Sequence, residues 1–210
     1  MALILTGGGG AMQDAVLADM FRARKSVFID LLGWDVPVLA GQYELDQFDG
    51  PSTVYLLIAT PEGAHLGSMR LLPTDGPTIL GDIFPSLCDG PVPASPDCWE
   101  ISRFCLSRDL RAGERRVIRN RLVTAAVLFG LQNDIASYVC VADAAWLTQI
   151  NGFGWCCDPL GAPQSLACGL TGAMRISVAP DTPGLMAAAG TWLPSPAAST
   201  GHRAAQGPVQ

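Results

Sequence analysis

The order of segments along this chain predicts an α/β protein of the α+β type, a single domain in which helices flank a mixed, largely antiparallel central sheet. Three observations carry that class. Two β-branched and aromatic runs, Thr53 to Thr60 and His65 to Leu72, are parted only by a Pro61-Glu-Gly turn and therefore pair as a hairpin. A third such run, Cys98 to Leu106, leads into a segment with apolar residues at Ile118, Leu122, Ala125 and Phe129, the spacing of a helix with one buried face. A strand at Ala136 to Val141 and a helix at Ala144 to Asn151 follow. Strands and helices do not alternate as a doubly wound parallel sheet requires.

The remaining elements are placed by punctuation. Gly7 to Gly10 reads as a flexible turn or frayed end, and Met12 to Leu32 as a helix that Gly33 stops. Leu17, Met20, Val27 and Leu31 form its apolar side, while Arg24 and Phe28, four apart, share another. Pro37 to Gly50 is polar and aperiodic, Pro73 to Pro96 an irregular connection with an apolar insert at Ile79 to Phe84. Trp155 to Val178 holds strand-like pieces, clearest at Ala173 to Val178, and Thr182 to Ala189 is a short helix opened by Pro183. The domain is set at residues 1–192, with a disordered tail rich in Pro, Ala and Ser over 193–210.

Composition bounds the function. A chain of 210 residues, 49% apolar and 15% charged, buries a substantial core. Its net charge of −6 argues against nucleic-acid binding. Six of the twelve arginines nevertheless crowd between Arg108 and Arg121, a local site for an anion in an acidic protein. Seven cysteines without CxxC or Cys/His ligand spacing suggest reduced thiols; neither a disulfide framework nor a metal site is expected, and Cys156-Cys157 is the one pair with redox interest. With no secretory leader and no apolar run long enough to span a bilayer, a cytoplasmic protein that does not engage membranes is expected.

The chemistry lies in charges that apolar strands should not carry. Arg70, Glu100 and Arg103 all interrupt strand-like runs, and an unpaired buried charge costs several kcal/mol or more. Either Glu100 and Arg103 satisfy each other or something bound between them does. Glu44, Asp46 and Asp49 repel one another unless a cation lies among them; an exposed acidic loop is the plain alternative. No GxGxxG, Walker, HExxH or Gly-x-Ser-x-Gly motif is present. His65 and His202, the only histidines, read as surface residues, so any general base is a carboxylate.

Four pieces in order then resemble the LuxI-type acyl-homoserine-lactone synthases: Arg24-Lys-Ser-Val-Phe28 with Leu32-Gly-Trp34, Tyr43-Glu-Leu-Asp46-Gln-Phe-Asp49, Gly67-Ser-Met-Arg70, and Trp99-Glu100-Ile-Ser-Arg103-Phe. The likeness covers roughly residues 15 to 180, and that family's charged and aromatic pattern falls on Arg24, Phe28, Trp34, Asp46, Asp49, Arg70, Glu100 and Arg103 with none replaced. It implies a fold like the Gcn5-related acetyltransferases and two substrates, S-adenosylmethionine and an acyl thioester on acyl carrier protein or coenzyme A, with no cofactor beyond them. A monomer or weak dimer is expected.

Under that resemblance Asp46 and Asp49 neutralise the cationic groups of S-adenosylmethionine, Arg24, Arg70 or Arg103 fix its carboxylate, and Phe28 and Trp34 face its sulfonium or adenine. Glu100 is the general base, its pKa raised by burial and lowered by Arg103. Because period-two alternation sets Glu100 and Arg103 on opposite faces, a bulge or splayed edge is predicted between them. Ser102, Cys140 and Ala142 are the expected acyl-selectivity positions. Arg108, Arg111, Arg115 and Arg119 form the expected docking face for the carrier, opposite Ile118, Leu122 and Phe129. An N-acetyltransferase using acetyl coenzyme A, and a non-enzymatic binding domain, remain as alternatives.

Overall fold

The structure is a computed structural model that describes residues 2–6, 11–167 and 169–194. The Gly7 to Gly10 turn, His202 and all of the tail after Pro194 lie outside the described residues. Strand β1 (Ala2–Thr6) precedes helix α1 (Ala11–Arg24), which runs on as a π-helix over Lys25–Leu31. A small hairpin, β2 (Val38–Leu39) and β3 (Tyr43–Glu44), then leads into β4 (Val54–Ala59) and β5 (His65–Pro73). Short α2 (Ile79–Asp82) and a 3₁₀ turn (Pro85–Leu87) come before β6 (Cys98–Leu106), α3 (Ala112–Gln132), β7 (Ser137–Asp143) and α4 (Ala144–Asn151). Strands β8 (Cys157–Pro159), β9 (Gln164–Leu166) and β10 (Gly169–Ser177) and helix α5 (Thr182–Ala188) complete it.

The main sheet runs β1-β4-β5-β6-β7-β10-β8, with β9 paired to β10. Every neighbouring pair is antiparallel except β6 and β7, which α3 connects and which run parallel. Both faces are covered, as the fully buried β4 shows: Leu56 and Ile58 join the core under α3, while Tyr55, Leu57 and Ala59 pack on Val16 and Met20 of α1. Farther along, Leu80 of α2 packs with Cys98 and Val139 on that second face. The fold class is the one the sequence predicts, and β1 is an edge strand it did not reveal.

Two irregularities break the sheet near its centre. Parallel pairing of β6 and β7 stops after Glu100↔Val139, so the strands splay apart beyond it. On its other side β6 pairs Arg70↔Ser102 and then Ser68↔Cys105, leaving Arg103 and Phe104 opposite the single residue Met69. Arg103 takes the left-handed backbone this bulge demands, with φ of 50°. Of the bulge or splayed edge expected between Glu100 and Arg103, the splay opens directly after Glu100 and a bulge begins at Arg103 itself.

Several local expectations need correction. Leu31, assigned to the apolar side of the first helix, is 56% exposed because the π-turn rotates it outward. The insert at Ile79 to Phe84 is no irregular loop: Thr78 accepts a hydrogen bond from Gly81 N at 3.0 Å and caps α2. His65 is buried on β5, its Nε2 2.9 Å from Ser68 Oγ, where sequence reasoning put it at the surface.

Candidate active site

The three carboxylates of the acidic segment do have cations among them. Arg24, at the end of α1, donates from Nε to Glu44 Oε2 at 2.5 Å and from both terminal nitrogens to Asp49 at 2.9 Å. Arg70, on β5, reaches Asp46 Oδ1 at 2.5 Å and Asp49 Oδ1 at 3.0 Å, and donates from Nε to Ser102 Oγ at 3.0 Å. Arg103 closes the ring, donating to Glu44 Oε1 at 3.1 Å and Asp46 Oδ2 at 2.7 Å. Three arginines thus balance three carboxylates in a fork-to-carboxylate network that is almost fully buried.

Burial and pairing pull the members of this ring in opposite directions. Burial disfavours the Arg24 cation, but hydrogen bonds and charge from Asp49 and Glu44 outweigh it and leave its pKa raised. Burial likewise opposes the Asp49 carboxylate, and Arg24 and Arg70 overturn that, holding it well below the usual carboxylate range. Tyr55, buried beneath them, donates its hydroxyl to Asp49 Oδ1 at 2.8 Å. Glu44 and Tyr55 were not assigned to the site from sequence. Glu44 had a signal, since it stands in the Tyr43-Glu-Leu-Asp46 run; Tyr55 had none, because an aromatic inside an apolar strand reads as core.

The ring supports an aromatic platform. Phe28 and Trp34 stack with centroids 4.7 Å apart and planes 16° from parallel, and the Arg103 guanidinium lies 5.6 Å from one ring centroid and 5.7 Å from the other. Gly33, with φ of 69°, makes the turn that returns Trp34 onto Phe28. From this platform a cavity of about 420 Å³ opens through the gap between the splayed β6 and β7. Phe28, Trp34 and Arg103 line it on the α1 face of the sheet, and Val123, Ile150, Phe153 and Trp155 line it on the α3 face. Ser102, Cys140 and Ala142, the expected selectivity positions, all belong to its wall. Burial pushes the Cys140 thiol up to about 12, so it serves there as a small neutral side chain.

Glu100 is placed differently from its expectation. It makes no ion pair with Arg103; instead Ile79 N and Leu80 N, the opening amides of α2, donate to its two oxygens at 3.1 and 2.7 Å. The carboxylate is fully buried, and burial raises its pKa to about 7 although those amides, and more weakly Arg70 and Arg103, act the other way. It is not in the cavity wall itself. It stands two residues before Ser102 on the same face of β6, just behind that wall. Asp46, Asp49, Arg24 and Arg70 likewise sit behind the surface, where their partners are one another.

The docking face is also less uniform than the helical spacing implied. Arg108 and Arg111 precede α3, and Arg108 Nη1 lies 3.4 Å from Ser26 Oγ. Arg115 lines the cavity mouth and donates to the Ser107 carbonyl at 2.9 Å. Arg119 is half-buried, donating to Asn120 Oδ1 and packing over the Phe153 ring at 5.0 Å. No grouping of His, Cys, Asp and Glu among the described residues is arranged to hold a metal ion.

The chain is similar to known proteins over most of its length. The family described as autoinducer synthase matches residues 10–179. An acyl-homoserine-lactone synthase of Rhizobium etli is 38% identical over 147 residues, 68% of this chain and 68% of that one. One from Ralstonia nicotianae is 44% identical over 99 residues, a stretch covering 46% of this chain and 48% of the relative. Among solved structures, the CoA-dependent acyl-homoserine lactone synthase BjaI, seen with S-adenosylmethionine and isopentyl-CoA, superimposes with a TM-score of 0.82 at 28% identity, over 90% of this chain and 89% of that one. A Lactobacillus plantarum protein described as an N-acetyltransferase, at 15% identity and a TM-score of 0.57 over 85% of this chain and 99% of its own, shares the fold alone. A ring of buried arginines and carboxylates, an aromatic platform and a cavity through a split sheet are thus the frame on which this chain, a member of the autoinducer synthase family of acyl-homoserine-lactone synthases, is built.

Proposed function

We propose that the chain makes an N-acyl-L-homoserine lactone, a quorum-sensing signal, from S-adenosylmethionine and an acyl thioester carried on acyl carrier protein or coenzyme A. The observation that carries this is the cavity's two-faced lining: a cation-and-aromatic end at Arg103, Phe28 and Trp34, and an apolar end beyond Val123, joined through the sheet. S-adenosylmethionine is suited to the first end. Its sulfonium fits against aromatic faces, and its carboxylate against a guanidinium held by carboxylates behind it. The acyl chain belongs at the second.

In the acylation step the substrate amine attacks the thioester carbonyl, the C–S bond of the thioester breaks, and the thiolate leaves. Glu100 takes the amine proton through the Ser102 side of the wall. Support comes from its environment: Glu44, Asp46 and Asp49 are all committed to arginines, whereas Glu100 is held only by amides and has a pKa of about 7. In the second step a carboxylate oxygen attacks the carbon bearing the sulfonium, closes the lactone ring, and leaves the bond pair on sulfur as neutral methylthioadenosine. That step needs positioning rather than proton transfer. The exposed Arg111 and Arg115 beside the cavity mouth suit an acidic carrier or a pantetheine phosphate.

Incubating the protein with S-adenosylmethionine and a set of acyl thioesters, and following products by mass spectrometry, tests the reading. Acyl-homoserine lactone with methylthioadenosine is expected in equal amounts. An acetylated amine without methylthioadenosine identifies an N-acetyltransferase, and no product leaves a binding domain.

A further inference from the structure

The apolar end of the cavity is lined by a row of rings in contact. Phe104 of β6 lies 5.0 Å from Trp146 of α4, Trp146 lies 6.1 Å edge-on from Phe153, and Phe153 lies 5.7 Å from Trp155. Three of the four have anchoring contacts, that of Trp146 through its backbone. Trp146 N donates to Asp143 Oδ1 at 2.9 Å in the cap of α4, and Trp155 Nε1 donates to the Ile150 carbonyl at 2.8 Å, while the Arg119 guanidinium covers Phe153. Helix α4 lies tight on the sheet: Leu147 sits so close over Gly172 that a Cβ there would stand 2.9 Å from Leu147 Cδ1. Trp146 therefore stands in the cavity wall between two other rings.

The available space points the same way. A drug-sized ligand occupies a pocket of about 300–1,000 Å³, and here about 420 Å³ is shared by both ends of the cavity. Resting on the synthase reading, we infer that Trp146 is the residue that gauges the acyl group, and that the donor acyl is short, branched or aromatic rather than a long linear chain. The aromatic rings along the wall suit a compact group that makes full van der Waals contact with them.

The test compares wild type with Trp146→Leu, Trp146→Ala and the milder Trp146→Phe on butyryl, isovaleryl, benzoyl, octanoyl and dodecanoyl thioesters, each carried on coenzyme A and on acyl carrier protein. Wild type should favour the compact acyl groups by kcat/KM. Opening the wall should raise the dodecanoyl-to-butyryl ratio by about tenfold or more, the scale at which apolar pockets discriminate methylenes, with S-adenosylmethionine affinity by calorimetry unchanged. Should Trp146→Ala fail to fold, Trp146→Phe and Trp146→Leu carry the comparison. A wild type that prefers dodecanoyl, or an unaltered ratio in variants that still bind S-adenosylmethionine, overturns the inference alone. Absence of turnover with every thioester overturns the synthase reading and the inference with it.

Discussion

Arg103 Nη2 and Asp46 Oδ2 stand 2.7 Å apart, and the arginine reaches that position from a left-handed backbone at the β6 bulge. Such a conformation costs a non-glycine residue on the order of 1–3 kcal/mol. The ring of charges repays it, because the bulge turns Arg103 out of the strand's alternation toward Asp46, Glu44 and the two aromatic rings at once.

Arg103→Lys keeps the charge but loses the fork that bridges Glu44 Oε1 and Asp46 Oδ2. The platform of Phe28 and Trp34 then loses the planar guanidinium over its rings and the substrate its forked anchor. We expect kcat/KM to fall by about 100-fold, the effect of roughly an ångström of misplacement. Arg24→Met, which leaves Glu44 and Asp49 buried without their partner, should cost about 3–5 kcal/mol in urea unfolding. Near-wild-type values in both variants would mean that the ring does not organise the site.

Glu100 links activity and stability to pH with opposite signs. As general base it works ionised, so kcat/KM should climb with pH through about 7 and level off above it. Its folded pKa lies above the unfolded value, so the folded state holds a proton that the unfolded chain has released. The stability associated with it is full below about 4.5 and is lost as pH rises through about 7. Glu100→Gln should abolish turnover, leave S-adenosylmethionine binding largely intact, and remove that decline from the stability curve. Turnover at the normal rate in this variant would take the base role away from Glu100.

His65 has the opposite sign. Buried on β5, its pKa is pulled down from 6.5 to about 4 by burial, with Asp19 opposing weakly. The folded state keeps it neutral, so stability is present above about 6.5 and is lost as pH falls toward 4. Urea unfolding between these limits should show a shallower acid decline for His65→Gln than for wild type; parallel curves would show that another group sets the acid limit.

Much of this was legible before any coordinates. The hairpin, the strand-to-helix passage at Cys98 to Phe129 and the short helix at Ala144 to Asn151 follow from period and punctuation, which are local. The odd charges at Arg70, Glu100 and Arg103 pointed to a site because buried charge must be compensated. Their partners were not legible. Pairing of Arg24 with Glu44 and Asp49, or of Glu100 with the amides of α2, depends on how distant segments meet, and backbone donors carry no side-chain signature at all. The aromatic row at Trp146 was likewise hidden, since rings near a helix and a turn read as ordinary core.

Salt dependence separates the arginines near the cavity mouth into two kinds. Arg111 and Arg115 are exposed, so an acidic donor would feel them across water and ions. Arg111→Ala with Arg115→Ala should raise KM for an acyl carrier protein donor severalfold at low salt, leave kcat nearly unchanged, and lose most of its effect as ionic strength shortens the screening length to about 10 Å at 0.1 M. Arg119 is different, because its guanidinium covers Phe153 and its nitrogens hold Asn120, which in turn donates to the Gly190 carbonyl at 3.2 Å. Arg119→Ala should therefore lower stability, and disturb acyl selectivity through Phe153, in a manner that added salt does not erase. If the double variant leaves KM unchanged at low salt, the carrier does not dock on these arginines.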